Sequence, residues 1–292
     1  MTEAIDVLEG SFASKAPPDA PLRSRVATAR GELLLMTATG DEGAGVKLVT
    51  VNPANPARGL PLIHAVYVLF ARETLQPVAM IDGSALTALR TAAVSALATR
   101  YLARPDASRL VIFGAGVQAA GHLEAMCAVR PIAEAKVVSR TRERAERLTE
   151  RAVALGLTAA VGEPGAAAWG DVICTCTTSR EPLFDGSLLR EGAHVNAVGA
   201  YTPDARELDD AAVQRARIVV ESRAAALAEA GDLLIPIGSG ALRPEEIAAD
   251  LSEVVRGAQI RRSAKDITVF KSVGVAFEDL AVARAAFDKL RP

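Results

Sequence analysis

Cysteine is scarce: Cys127, Cys174 and Cys176 are the three in 292 residues. An odd set cannot form a fully paired disulfide framework, and no histidine or cysteine stands at zinc-finger spacing. Cys174 and Cys176 fall in the apolar run from Val172 to Thr177, which reads as a buried strand, and a reducing cytoplasm suits such thiols. An excess of either charge is also lacking. The formal charge of −2 leaves no basic surplus for the phosphates of a nucleic acid. No segment is apolar for long enough to span a bilayer. The amino-terminal stretch, with Glu3, Asp6, Glu9 and Pro17-Pro18, has neither the basic start nor the apolar run of a secretory signal.

What is present is a chain half apolar, long enough for one large domain or two ordinary ones, and two domains is the working expectation. Glu32–Thr39, Val46–Val51, Ala65–Ala71 and Val78–Ile81 are short apolar or alternating runs separated by Gly, Pro and Asn, which predicts an antiparallel sheet. Ser84 to Ala103 reads as a helix that stops before Pro105. From Arg109 strands and helices alternate: Leu110–Phe113, a helix from Val117, Lys136–Ser139, a helix from Arg142, Val172–Thr175, His194–Val198 and Arg217–Glu221. Such alternation predicts a mostly parallel sheet with helices on both faces. Gly231–Leu242 reads as irregular, and Pro244–Val255 and Phe277–Leu290 as helical.

Gly114-Ala115-Gly116-Val117-Gln118-Ala119 lies between an apolar strand and a helix, and a second strand begins about 20 residues on. Any tight strand-to-helix turn favours glycine. The context adds the meaning, because a dinucleotide's pyrophosphate needs close backbone approach and the free N–H groups of the following helix. The second strand ends in Ser139-Arg140-Thr141, without the acidic residue that would grip the ribose hydroxyls of NAD. A hydroxyl and a guanidinium suit a 2′-phosphate instead, so NADPH is preferred and NADH remains possible. The basic residues from Arg142 to Arg147 read as a solvated helix face with i,i+4 ion pairs.

Two cations stand where apolar residues are expected. At about 100° per residue Leu86, Leu89, Ala93, Leu97 and Tyr101 share one stripe of their helix, and Arg90 falls inside it. A buried guanidinium needs an anionic partner, either an internal Asp or Glu or a bound carboxylate. Lys47 interrupts the apolar run Gly45-Val46-Lys47-Leu48-Val49, although a strand lysine commonly points to solvent. Together with a nucleotide turn, the pair suggests a pocket for a carboxylate. His64, His122 and His194 have no evident partners and read as packed or solvated residues.

The segments Gly45 to Pro61, Leu86 to Ala93, Gly114 to Gln118, Arg206-Glu207-Leu208-Asp209 and Phe270-Lys271-Ser272-Val273-Gly274 resemble, in the same order, the ornithine cyclodeaminase and mu-crystallin family. The resemblance implies an α/β subunit of two parts. One is a discontinuous substrate-binding and dimerisation domain, residues 1–105 with 270–292; the other is a doubly wound Rossmann domain, residues 106–269. It implies a homodimer. It further implies that Arg23, or Arg25 given an ambiguous loop length, gathers with Lys47 and Arg90 round a substrate carboxylate. Cofactor contacts are implied at Thr91, Gly114, Ala115, Gly116, Val117, Gln118, Ser139, Arg140, Thr141, Thr177, Asn196, Ala197, Val198, Gly199 and Ser272.

One departure bears on the reaction. Cyclodeaminases and related alanine dehydrogenases are similar in carrying an aspartate just after an Ala-Val-Gly run, where Tyr201 stands here, with Asp204 beyond Pro203. Tyrosine offers no carboxylate to an amine. The resemblance therefore implies the imine-reductase branch, which reduces Δ1-pyrroline-2-carboxylate or Δ1-piperideine-2-carboxylate to proline or pipecolate. Lys47 or a bound water would supply the proton, and Lys47, desolvated beside two arginines, is expected to have a lowered pKa. Plain charge pairing is the alternative role of Lys47. Alternative activities are ornithine cyclodeaminase, alanine or N-alkyl amino-acid dehydrogenase, and a non-catalytic binding protein like mu-crystallin.

Overall fold

The computed structural model describes residues 1–14 and 20–290. Helix α1 (Thr2–Ala13) precedes strands β1 (Ser24–Thr28), β2 (Gly31–Gly40), β3 (Gly43–Val51), β4 (Ile63–Phe70) and β5 (Pro77–Asp82), and then the long helix α2 (Gly83–Leu102). An alternating stretch follows: β6 (Arg109–Phe113), α3 (Val117–Val129), β7 (Glu134–Val138), α4 (Arg142–Ala154), β8 (Thr158–Val161), β9 (Val172–Thr175) and β10 (His194–Ala197). The chain continues through α5 (Asp210–Arg215), β11 (Ala216–Val220), α6 (Arg223–Glu229), α7 (Gly231–Ser239), β12 (Ile247–Asp250), α8 (Leu251–Val255), β13 (Ile267–Lys271) and α9 (Ala276–Leu290). Two compact units result, one of Glu3–Arg90 with Val275–Pro292, the other of Thr91–Gly274 with the first two residues. The division falls inside α2, earlier than the boundary at 105/106 that the sequence suggests.

In the first unit β1 to β5 form an antiparallel sheet of nearest neighbours, and α9 packs on β2, β3 and β4. Side chains alternate across a strand, so β3 buries Gly45, Lys47, Val49 and Val51 on its inner face. Register sets Lys47 between Met36 and Tyr67. Asp82 caps the start of α2, accepting from the N–H groups of Ser84 at 2.8 Å and Ala85 at 3.1 Å. Gly83 permits that start, since a Cβ there would lie 2.8 Å from the carbonyl carbon of Ala65.

The single apolar stripe expected of α2 is too simple. Leu86, Ala93 and Leu97 are buried, but Leu89 and Tyr101 are 37 % and 38 % exposed, while every residue from Arg90 to Thr99 is buried. A helix enclosed on all sides carries no one-sided pattern.

The second unit holds eight parallel strands in the order β12-β11-β13-β10-β9-β6-β7-β8. Both faces of the central strands are covered, as in Leu110 to Phe113 and Val172 to Thr175. Chain order reverses between β6 and β9, which opens a crevice at their carboxyl ends.

Two expectations fail here. Gly231–Leu242 is not irregular: α7 forms because long-range anchors outweigh its Gly and Pro content. Asp232 accepts from the main-chain N–H groups of Glu207 and Leu208 at 2.7 and 2.9 Å, and a Cβ on Gly231 would meet the Ala205 carbonyl oxygen at 2.1 Å. Pro244–Val255 is not one helix, because Ile247 and Ala249 turn inward around an exposed Ala248 and pair with β11 as β12, leaving the helical part to α8. Helix α1 and strands β1 and β8 have no counterpart in the sequence reading. Among the described residues no helix is long and apolar enough to cross a membrane.

Candidate functional site

Lys47 and Arg90 come together inside the first unit, each with an acidic partner from the first turn of α9. Lys47 Nζ donates to both oxygens of Asp279 at 2.7 Å and to Thr87 Oγ1 at 3.1 Å. Arg90 Nη1 donates to Glu278 at 2.9 Å, and its Nε lies 3.3 Å from Asp279. Lys47 does not point to solvent; it is 1 % exposed, and Glu278 and Asp279 are fully buried. The helix start is the favourable end for two carboxylates. Burial lowers the Lys47 pKa to about 8 against the opposing pull of Asp279, with Arg90 and Arg23 lowering it further. Arg23, half-buried ahead of β1, thus acts on Lys47, whereas Arg25 is tied to Glu32 at 3.2 Å on the exposed strand.

In the second unit the turn after β6 has the form that a pyrophosphate requires. Gly114 adopts φ +105°, and a Cβ on it would stand 2.4 Å from the Cys176 carbonyl oxygen. Gly114 N–H donates to Val138 O at 2.8 Å, and Cys176 N–H to Phe113 O at 2.7 Å, so three strand ends meet at the crevice. Gly116 has open space where a Cβ would be, and as N-cap of α3 it leaves the helix start without a side-chain cap. Ala115 is half-buried, Val117 is 72 % exposed and Gln118 is half-buried at this mouth. A phosphate-sized anion fits these features. At the end of β7, Ser139 Oγ accepts from Thr141 N–H, while exposed Arg140 makes no hydrogen bond or ion pair with the described residues. Arg142 does pair with Glu146, at 2.9 Å across one turn.

Around the other strand ends the expected residues divide. Thr177, Val198 and Gly199 are half-buried in the loops after β9 and β10, and Ala197 and Thr91 are buried. The Asn196 side chain is fully buried, donating to Thr99 Oγ1 at 2.9 Å and lying 3.3 Å from His194 Nε2. Ser272, expected to meet the cofactor, is 2 % exposed and donates its hydroxyl to Glu221 at 2.5 Å. His194 and His122 belong to the interior, where burial lowers their pKa values to about 3 and about 4 and keeps them neutral. Exposed Asp204 pairs with Arg180 and accepts from Thr202 Oγ1 at 2.8 Å, a surface arrangement.

Glu278, Asp279 and Asp232 escaped the sequence reading, and Glu207, Glu221 and Lys271 fell in segments it quotes without receiving a role; all are at most 4 % exposed. A signal existed: Glu278-Asp279 interrupts the apolar run from Val273 to Ala283, and Lys271 ends a buried strand.

A doubly wound sheet with an open glycine turn at its switch point, joined in one chain to an antiparallel unit with a buried acid–cation cluster, defines a Rossmann-type α/β class of protein. The chain belongs to the ornithine cyclodeaminase/mu-crystallin family, whose model matches residues 1–292. It is 39 % identical over 262 residues to the Δ1-pyrroline-2-carboxylate reductase of Bacillus cereus, covering 86 % of this chain and 79 % of that protein. With the ketimine reductase mu-crystallin of Rattus norvegicus it shares 40 % identity over 294 residues, 97 % and 91 % of the two chains. The solved Δ1-pyrroline-2-carboxylate reductase of Thermococcus litoralis, in complex with NADH and L-proline, superposes with a TM-score of 0.94 at 37 % identity, covering 99 % and 92 %.

Proposed function

We propose that this protein reduces cyclic ketimine carboxylates, Δ1-pyrroline-2-carboxylate or Δ1-piperideine-2-carboxylate, to proline or pipecolate, with NADPH preferred over NADH. The observation that carries the reading is the buried Lys47 ammonium, whose pKa of about 8 lies close to the working range of a proton donor. Arg23, Lys47 and Arg90 supply the cations that a substrate carboxylate meets. Asp279 and Glu278 fix the two cations, and Thr87 orients the third Lys47 proton. A dinucleotide, when bound, would supply the hydride that the C=N carbon accepts. Lys47 gives its proton to the nitrogen, so that C=N becomes CH–NH with charge balanced. Gly114 to Gln118 hold the pyrophosphate through the turn and the α3 start, and Thr177, Val198 and Gly199 border the reacting end.

Against the cyclodeaminase alternative, Tyr201 offers no carboxylate, and Asp204 is committed to Arg180 at the surface. For NADPH, Ser139, Arg140 and Thr141 face outward at the end of β7 with the guanidinium unpaired among the described residues. A panel of cyclic ketimines, keto acids with amines, and L-ornithine decides the activity. Steady NADPH consumption with a ketimine is expected; ammonia release from ornithine without net NAD(P)H consumption would sink the reading. Arg140→Ala should lower kcat/KM for NADPH roughly tenfold and leave NADH nearly unchanged, the size of a charge-assisted phosphate contact. A wild-type preference for NADH overturns the cofactor assignment.

We also read the protein as a cytoplasmic homodimer. The outer face of the antiparallel sheet carries half-exposed Leu33, Leu35, Val46, Leu48, Val66 and Val68 and the 78 % exposed Met80, an apolar patch of the kind that a second copy covers. A monomer mass in sedimentation at micromolar protein would refute it.

A further inference from the structure

Behind the loops after β9 and β10 lies Glu207, a carboxylate with no exposed surface and four donors directed at it. Its Oε1 accepts from Thr177 N–H at 2.8 Å and Thr177 Oγ1 at 2.7 Å; its Oε2 accepts from Thr175 Oγ1 and Gly199 N–H, both at 2.7 Å. Two ionised oxygens offer about four lone-pair positions, and all are filled. Gly199 is obligatory beside it, since a Cβ there would lie 2.5 Å from Glu207 Oε1. The carboxylate is itself immobilised. Its main-chain N–H and that of Leu208 donate to Asp232, and Asp232 pairs at 2.8 Å with Lys271, which also donates to the carbonyls of Ala197 at 3.1 Å and Ala200 at 2.6 Å. One side chain therefore sets the spacing of two loops at the carboxyl ends of adjacent strands, where doubly wound sheets bind their ligands. Burial and then Asp232 push the Glu207 pKa up, while Lys271 and the hydroxyls of Thr175 and Thr177 pull it down; a main-chain N–H on each oxygen, with a hydroxyl beside it, is the setting of an ionised carboxylate, and with Asp232 and Lys271 it leaves a net negative charge there. The nearby cations at the surface, Arg180 and Arg206, are each paired, with Asp204 and Asp210.

We propose that Glu207 is a positioning residue for the nicotinamide half of the dinucleotide site, and that its charge, lying behind the Thr177 and Gly199 loops, favours the cationic oxidised ring over the neutral reduced one. The proposal rests on the reductase reading above. A merely structural strut would affect both redox forms alike, whereas a charge distinguishes them. A nicotinamide giving up hydride would gain positive charge, and the Glu207 carboxylate would then lower the barrier.

The test is calorimetric titration of NADP+ and of NADPH into the wild type, Glu207→Gln and Glu207→Asp, with thermal unfolding of each variant. Glu207→Gln removes the charge and turns its NH2 against one of the two main-chain N–H donors, so part of the loss is common to both redox forms and the ratio between them is the readout. The substitution should weaken NADP+ roughly tenfold and NADPH no more than about threefold, as expected for one charge lost at a partly screened distance. Glu207→Asp keeps the charge and shortens the reach, so it should weaken both about fivefold with their ratio unchanged. Equal weakening of both forms by Glu207→Gln, or unchanged affinities, overturns the proposal. If Glu207→Gln does not fold, Glu207→Asp carries the test, and wild-type affinities in that variant overturn it. A wild type that binds neither NADP(H) nor NAD(H) removes the reductase reading itself, and this proposal with it; one that binds NAD(H) alone moves the same comparison to NAD+ and NADH.

Discussion

Lys47 and Lys271 are both strand lysines only 1 % exposed, one in each unit, and both meet an aspartate brought in by a helix. Their remaining partners differ. Lys271 directs two protons to the main-chain carbonyls of Ala197 and Ala200, groups that can neither take a proton nor move away. Lys47 touches side chains alone, Asp279 and Thr87, and lies in the field of Arg90 and Arg23. Burial of a lysine therefore does not mark chemistry. What marks it is whether the ammonium is held by the scaffold or by groups that can exchange protons and are crowded by like charge.

The largest effect that could break this contrast is on turnover. Lys47→Ala should lower kcat with a cyclic ketimine by about 10²- to 10⁴-fold, the range for losing a positioned proton donor. It should be assayed at a temperature where unfolding curves show the variant folded, because buried Asp279 loses its closest cation and keeps Arg90 at 3.3 Å. Retention of rate to within about threefold would reduce Lys47 to a strut. For Lys271→Met the main loss should instead appear in stability, about 3 to 5 kcal/mol by denaturant unfolding, since buried Asp232 loses its lysine partner. Substrate turnover at saturating dinucleotide should survive in the folded fraction. A variant of normal stability but dead chemistry would reverse the roles assigned to the two lysines.

The sequence exposed these regions unequally. The turn from Gly114 to Gln118 is legible because its chemistry is local: strand, glycines and helix start lie within one short segment. Lys47 and Arg90 stand out as charges in apolar patterns, but their partners lie 232 and 188 residues away, and nothing local links them to Glu278 and Asp279. For the same reason Arg90 satisfies the plainer of its two readings, an internal acidic partner. Asn196 and Ser272 show what position alone does not tell, since their side chains are engaged in the interior by Thr99 and by Glu221. Strand β12 and helix α7 were hidden because pairing to β11 and the Asp232 anchor, not composition, decide them.

The smallest effect is the most diagnostic, because it reads the Lys47 proton directly. Burial displaces Lys47 from an ordinary 10.5 to about 8, with Asp279 opposing the displacement and Arg90 and Arg23 adding to it. Below that pH the ammonium is present and can protonate the imine nitrogen; above it the neutral amine cannot. The logarithm of kcat/KM should accordingly fall with unit slope as pH rises through about 8. Asp279→Asn removes the raising contribution and should carry this alkaline limb to lower pH by about one unit, a tenfold change at fixed pH. Arg23→Ala removes a lowering contribution and should carry the limb the other way by less. Lys271→Met should leave it in place. Titration of the free imine is common to every variant, so it cannot produce movements of opposite sign. Superimposable profiles from Asp279→Asn, Arg23→Ala and the wild type would mean that the observed limb belongs to the substrate, and that Lys47 is held as passively as Lys271.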